Sequence, residues 1–487
     1  MLKIKRYQSI SLSLLVLAIL FIFVAEPKFP KKIYRFSKSL FNEYAPSYSQ
    51  NALDSVIQDK VEINKREALD AFLPHINKEM LDLTLIKQPA EEFVRIKGQE
   101  FEIYKYRANF LNLVKRVPEK GPAYIGIQDN NLFIVQENGL FFKAPKDDFL
   151  SKKHIINAKV YDSNITNFVN YFEFFAPGQF GIKDILIIKN KIYVSYIRER
   201  KPGCFNTSIL ESNIEEKLEF SIFFSPLKCI KEEMQGFNAH QSGGRLAIFK
   251  ENKILFSVGE YRSRLLAQEL GNPFGKILSI DLNSNQMQEI SIGHRNPQGL
   301  YYSEKYNDIF STEHGPNGGD ELNHNLSPNS KNIKNFGWPI ASYGGHYGGS
   351  QYELINEKLE LKENREIKDY ESAPLHKNHE QYDFIEPLLY FSPSVGISQI
   401  IEVDKNFLKF HKDRTLIFGT MGYATSSFIP SLSLFVMSLN SNNNLSTEKQ
   451  IALNERIRDL IFDTDSQSVF FSGDSNGVIG IFKEIKK

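Results

Sequence analysis

The stretch EHGPNGGDELN, residues 313–323, packs three glycines, a proline and three carboxylates into eleven residues. Phosphate cradles, calcium loops and plain polar turns all have that composition. A P-loop would continue into Gly-Lys-Ser/Thr, which does not follow here. An EF-hand would alternate Asp and Asn ligands and close on a glutamate at its twelfth position, and that spacing is missing too. Other side chains in the chain carry chemistry of their own. His240 offers an imidazole with an ordinary pKa of about 6.5, suited to general-base work near neutral pH. Arg295 offers a permanently charged fork for developing negative charge. Arg456 and Arg458 alternate along an apolar stretch, face one side of a strand, and form the kind of pair a carboxylate binder needs. His376 and His379 have metal-compatible spacing without a third partner and are expected to be solvated.

Whether these residues meet depends on the elements that carry them. From about residue 100 the chain repeats one phrase, an apolar strand, a short polar turn and a second apolar strand. The instances are YIGIQDNNLFIVQ, ILIIKNKIYVSY, LAIFKENKILFSV, LYYSEKYNDIFST, FLKFHKDRTLIFGT and LIFDTDSQSVFFSG. The first apolar residues after the turns are Leu132, Ile192, Ile254, Ile309, Leu416 and Val469, at intervals of 60, 62, 55, 107 and 53. The long interval holds an insertion from Phe336 to Phe391. This spacing leaves room for about four strands per unit, the signature of a propeller blade. The spacing predicts an all-β, six-bladed β-propeller.

The repeat also places the polar residues. Gln179 and Arg456 each lie 11 residues before their turns, and His240 and Arg295 each lie 12 before theirs. Equal offsets in pseudo-symmetric units predict that all four reach one mouth of the central channel. The glycine-rich loop climbs the partner strand to that same rim.

These residues carry a family resemblance. GHRNPQGL (293–300), EHGPNGGDE (313–321) and NFGWPIASYG (335–344), with APGQFGIKDI, AHQSGGRLAI and NERIRDLIF in the same order, resemble the soluble PQQ-dependent aldose sugar, glucose and sorbosone dehydrogenases over roughly residues 95–487. The resemblance implies a six-bladed propeller that binds pyrroloquinoline quinone and Ca2+ and oxidises aldose sugars to lactones by hydride transfer. His240 would be the general base. Arg295 and Asn296 would contact the quinone carbonyl side, Gln179, Arg456 and Arg458 its polar periphery, and Tyr347 its ring. The carbonyls of Gly315 and Pro316 would bind the active-site calcium, with Glu321 and the Phe336 carbonyl at a further calcium site. The sequence departs from the pattern at Ala239, where some members have an acidic residue, and in one extra glycine in HQSGGRL. It also has no clear counterpart of a basic residue on blade five. Two other classes remain open: a cofactor-free propeller binding carbohydrate or protein, and a calcium-dependent lactonase-like hydrolase.

Composition bounds the partners. With 59 Lys+Arg against 58 Asp+Glu in 487 residues, no general field attracts nucleic acid. Basic MLKIKR precedes nineteen uncharged residues, Tyr7 to Ala25, which as a helix would span roughly 28 Å. Residues 1–35 therefore read as a signal anchor and linker, uncleaved in preference to cleaved, with residues 36–95 as a helical extension and 96–487 as the propeller. The expected location is the periplasmic side of the cell membrane, with an aldose substrate and an unidentified electron acceptor as partners. Cys204 and Cys229 bracket a segment that can fold back, and a disulfide and two buried thiols both fit.

Overall fold

The computed structural model describes residues 83–108, 123–137, 139–169, 180–233, 237–316, 318–344, 352–355, 358–361, 379–409, 413–422, 432–474 and 477–485. All of them fall within one compact unit, Lys78–Lys487. The expected membrane helix, most of the expected helical extension, Gln179 and Tyr347 lie outside the described residues. Among the described residues no helix is long and apolar enough to cross a membrane.

Six antiparallel blades form a ring. Their inner strands are Ala123–Gln128, Ile182–Ile188, Gly243–Phe249, Pro297–Ser303, Ile397–Val403 and Ile457–Asp463, and each packs on the next, the sixth returning to the first. The six residues picked from the repeat, Leu132, Ile192, Ile254, Ile309, Leu416 and Val469, all lie on second strands and are buried. At four of the connecting turns Asp129, Lys189, Asn307 and Gln467 take positive φ, as does Lys250 at a fifth, which lets a short link reverse the chain.

Apolar side chains form six clusters, one at each blade–blade interface. The strand period explains this: successive residues point to opposite faces, and here both faces meet a neighbour. Leu246 packs towards blade two and Ala247 towards blade four. Phe470 packs towards blade one, while Val469 and Phe471 pack towards blade five.

Closure comes from the N-terminal side. Gln99–Ala108 pairs antiparallel with Val478–Glu484, with Phe101 opposite Glu484 and Arg107 opposite Val478, so the segment preceding blade one completes blade six. Thr84–Ile96 then pairs with Gln99–Ala108. This corrects the expected boundary at residue 96, because residues 84–95 are strand and not helical extension. In the insertion, Leu389–Phe391 returns as the fourth strand of blade four, opposite Asp320–Leu322. Cys204 and Cys229 form a disulfide on the outer side of blade two.

One irregularity prepares the site. Five of the six inner strands change register near their first residues, at Ile182/Asp184, Gly243/Leu246, Pro297/Gly299, Ile397/Ile400 and Ile457/Asp459. Such bulges re-aim side chains at the rims of barrels and beside active sites. The skipped positions include Lys183, Arg245, Gln298, Gln399 and Arg458, a long polar residue in each case. The inner strand of blade one is regular, and no candidate site residue comes from it.

Candidate active site

His240, Arg295 and Arg456 each stand one to three residues before the inner strand of blades three, four and six. They therefore share one rim, as the offsets predict. His240 lies in a short turn of 3-10 helix, Ala239–Gln241, whose preceding Asn238 accepts the His240 N–H at 2.9 Å through Oδ1. That cap holds the backbone and leaves the imidazole exposed at the surface of the rim.

Arg295 is buried, in contrast. Its Nη1 donates to the His314 carbonyl at 2.6 Å, its guanidinium lies 5.4 Å from the Trp338 ring centre, and its backbone N–H donates to Glu313 Oε2 at 2.7 Å. With the Gln241 amide turned to suit its neighbours, its oxygen accepts from Arg295 Nη2 at 3.0 Å and its nitrogen donates to Glu260. Burial pushes the Glu260 carboxyl up to about 7, against the pull of Arg295 and Arg264. Asn296 Oδ1 accepts from the Gly243 N–H at 3.1 Å and from Gln298 Nε2 at 2.9 Å, which ties blade four to blade three.

On blade six, Arg456 Nε and Arg458 Nη2 donate to the two oxygens of one carboxylate, Asp474, at 2.8 and 3.1 Å. Arg458 also reaches Gln298 Oε1 at 3.3 Å. Asp474 thus gathers two guanidiniums at the rim. Polar contacts join Gln241, beside His240, to Arg295, and join Asn296, its chain neighbour, through Gln298, Arg458 and Asp474 to Arg456.

The glycine-rich loop is fixed by its aspartate. Asp320 accepts the N–H groups of Gly315, Val395, Gly396 and Ile397 and the hydroxyl of Ser394, at 2.7–3.2 Å. Gly315 is pressed so close to the returning chain that a β-carbon there would meet the Gly319 carbonyl at 2.1 Å, so only glycine fits. Pro316 is buried beside it. Glu321 is buried, and burial and the nearby Glu313 carboxylate raise its pKa well above the ordinary range. The Phe336 ring is buried and stacks on His294 with centres 4.8 Å apart. His379, expected in solvent, is instead fully buried: its ring stacks on that of Tyr343 with centres 5.4 Å apart, and its Nε2 lies 4.0 Å from Glu321 Oε1. Among the described residues no group of three His, Cys, Asp or Glu side chains is placed to hold a metal.

Two arrangements escaped the sequence reading. Ser291 Oγ, His294 and Glu313 are in line, at 2.7 Å to Nε2 and 2.9 Å from Nδ1. Ser291 and His294 have no exposed surface, so this is a brace beneath Arg295 and not a nucleophile. Arg245 fills the channel floor between Asp184 and Asp459. Neither pattern has a local sequence signal, since the partners come from different blades or strands.

The fold and site define a six-bladed propeller with a cationic, polar site at one mouth. Residues 128–366 match the family model described as Glucose / Sorbosone dehydrogenase, and the resemblance carried by the motifs therefore holds over that span. The chain is 29% identical over 196 residues to the aldose sugar dehydrogenase YliI of Escherichia coli, covering 36% of this chain and 50% of that protein. It is also 29% identical over 160 residues to quinoprotein glucose dehydrogenase B of Acinetobacter calcoaceticus, covering 27% and 31%. The match spans half the length of the first of these relatives and less than a third of the second. A crystal structure of a glucose dehydrogenase superposes with a TM-score of 0.55 at 20% identity, covering 82% of this chain and all of that one, and agrees in fold.

Proposed function

We propose that this chain is a quinoprotein oxidoreductase that oxidises aldose sugars to lactones, held by an N-terminal anchor on the periplasmic side of a membrane. The observation that carries the reading is the set of polar contacts at one rim, whose blade-three and blade-four members lie within the segment that matches a sugar dehydrogenase family. The residues present fit an anionic, carboxylate-bearing cofactor, because Arg456 and Arg458 share one acid and Arg456 remains partly exposed. Loop 315–316 fits a calcium ion that takes backbone oxygen, because Asp320 secures the N–H side of the loop.

When bound, pyrroloquinoline quinone would supply the hydride acceptor and Ca2+ the Lewis acidity. Asn296, Arg456, Arg458, Gln179 and Tyr347 would hold the quinone, and Gly315 and Pro316 the ion, with Glu321 and Phe336 at the further site. The exposed His240 imidazole takes the proton of the anomeric hydroxyl. Arg295 would present a fixed positive charge to the quinone's carbonyl side, and the His314 carbonyl and the Trp338 ring keep the guanidinium in place. A hydrolase finds less support: the channel carboxylates Asp184 and Asp459 are both engaged by Arg245.

The test is to supply the purified full chain with the quinone and Ca2+ and follow dye reduction across a panel of aldoses. Turnover is expected, with His240→Ala slowing it by roughly 10²–10⁴-fold. No turnover with any sugar and no quinone uptake would favour the binding module.

A further inference from the structure

The bulges at the rim carry polar side chains, and the one from blade three does something the others do not. Arg245 is completely enclosed, yet each of its nitrogens is used. Nη1 donates to Asp184 Oδ1 of blade two at 3.1 Å and to Asp459 Oδ1 of blade six at 2.8 Å. Nε donates to the Gln298 carbonyl of blade four, and Nη2 to the Arg458 carbonyl of blade six, both at 2.6 Å. Its guanidinium also lies 5.3 Å from the ring centre of Tyr124, from blade one. One side chain therefore touches four other blades at a single level of the channel.

The two carboxylates are themselves committed. Asp184 Oδ2 accepts the Leu246 N–H at 2.8 Å, and Asp459 Oδ2 accepts the Ile125 N–H at 2.9 Å. These fix the height of neighbouring inner strands. The carbonyl contacts matter differently, because Gln298 and Arg458 are the bulged residues whose side chains face the site. Gln298 Nε2 holds Asn296, and Gln298 Oε1 holds Arg458. Where the two backbones sit thus sets where the Asn296, Gln298 and Arg458 side chains point.

We propose that Arg245 is a positioning residue that sets the Asn296–Gln298–Arg458 wall of the cofactor site from the channel floor, by gripping the Gln298 and Arg458 carbonyls. This rests on the quinoprotein reading. Lysine cannot replace it: its three donors radiate from one nitrogen, whereas the guanidinium fork spans two carboxylates and two carbonyls. Arg245→Lys keeps the charge between Asp184 and Asp459 and loses the grip.

The experiment compares quinone binding, sugar kinetics and thermal melting of the wild-type chain and Arg245→Lys in Ca2+. The proposal expects a cooperative melt for the variant and a quinone Kd raised about ten-fold or more, with the KM for sugar at saturating quinone changed by less than about two-fold. Should Arg245→Lys not fold, the neutral triple variant Asp184→Asn, Arg245→Met, Asp459→Asn leaves no buried charge unpaired and takes the same measurements. A lowered melting point with quinone Kd within about two-fold of wild type would mean a purely structural role and overturn the proposal. A wild-type chain that takes up no quinone would overturn the quinoprotein reading along with it, whereas wild-type binding matched by the variant would overturn only the role of Arg245.

Discussion

Glu313 Oε2 accepts the backbone N–H of Arg295 at 2.7 Å, so the first residue of the glycine-rich loop holds the buried arginine at the start of blade four. The other oxygen of Glu313 accepts from His294 Nδ1 at 2.9 Å and from Asn323 Nδ2 at 2.7 Å. Burial works against its negative charge, and the His294 imidazole and these donors nonetheless hold its pKa below the ordinary carboxylate value. Every oxygen position meets a donor, which an amide cannot satisfy.

Glu313→Gln therefore turns an NH2 group towards a donor at a buried position. A loss of roughly 1–3 kcal/mol is expected from urea unfolding, because a buried polar group loses its partner. Dye reduction should fall further than stability explains, since Arg295 loses its backbone anchor. Unchanged turnover at a temperature well below the melting point would sever the link between the two residues.

The loop itself depends on Asp320 more than on its showier neighbour. Asp320 accepts five hydrogen bonds and joins the loop to the start of blade five's inner strand, whereas Glu321 accepts one, from Asn323 at 3.3 Å. Asp320→Asn is expected to cost roughly 2–3 kcal/mol and to raise the Ca2+ concentration needed for activity. Glu321→Gln should be the milder change in stability, as its charge is disfavoured where it stands. Calcium titrations of both variants, read by activity and by melting point, separate them, and equal effects would contradict the ranking.

Much of this architecture was legible in the sequence because it repeats. A two-residue period flanking short turns, recurring six times, specifies blades and even the level at which His240, Arg295 and Arg456 emerge. Strand Thr84–Ile96 was not legible, since Pro89 and a mixed polar pattern reflect its place on the outside of blade six, where one face meets water. Arg245, Glu260 and His379 were missed for another reason. Their partners come from other blades or distant loops, and the burial that defines their roles exists only once the ring closes.

Glu260 gives the pH dependence. Its folded pKa is about 7 against an ordinary 4.5, so the folded state binds the proton more tightly than the unfolded chain. Stability then falls as pH rises from about 4.5 to about 7, because the unfolded state gives up its proton first. Asp184, raised to about 7 by burial, acts in the same direction although Arg245 opposes it. Glu260→Gln removes one of the carboxyls raised by burial, which also include Glu321 and Asp459. Its stability should decline less between pH 5 and 8 than that of the wild type, by roughly 1–3 kcal/mol in urea unfolding. Parallel pH profiles would show that Arg295, Arg264 and Arg262 already keep Glu260 ionised.

The disulfide offers a test that is independent of chemistry at the site. Cys204 opens the third strand of blade two, and Cys229 ends a return segment 25 residues later. Closing a loop of that length stabilises the fold by up to about 3.5 kcal/mol through the unfolded chain. Part of the segment is held without it, since Asn206 Nδ2 donates to the Pro226 and Lys228 carbonyls at 2.9 and 3.1 Å. The bond is therefore expected to set stability and not shape. Reductant should lower the wild-type melting point by a few degrees, on the order of the entropic term, and leave a Cys204→Ser, Cys229→Ser variant unmoved. The site lies on the inner strands, whereas the disulfide ties an outer one, so turnover at low temperature should survive reduction. A wild-type melting point that ignores reductant would place the two sulfurs apart in solution.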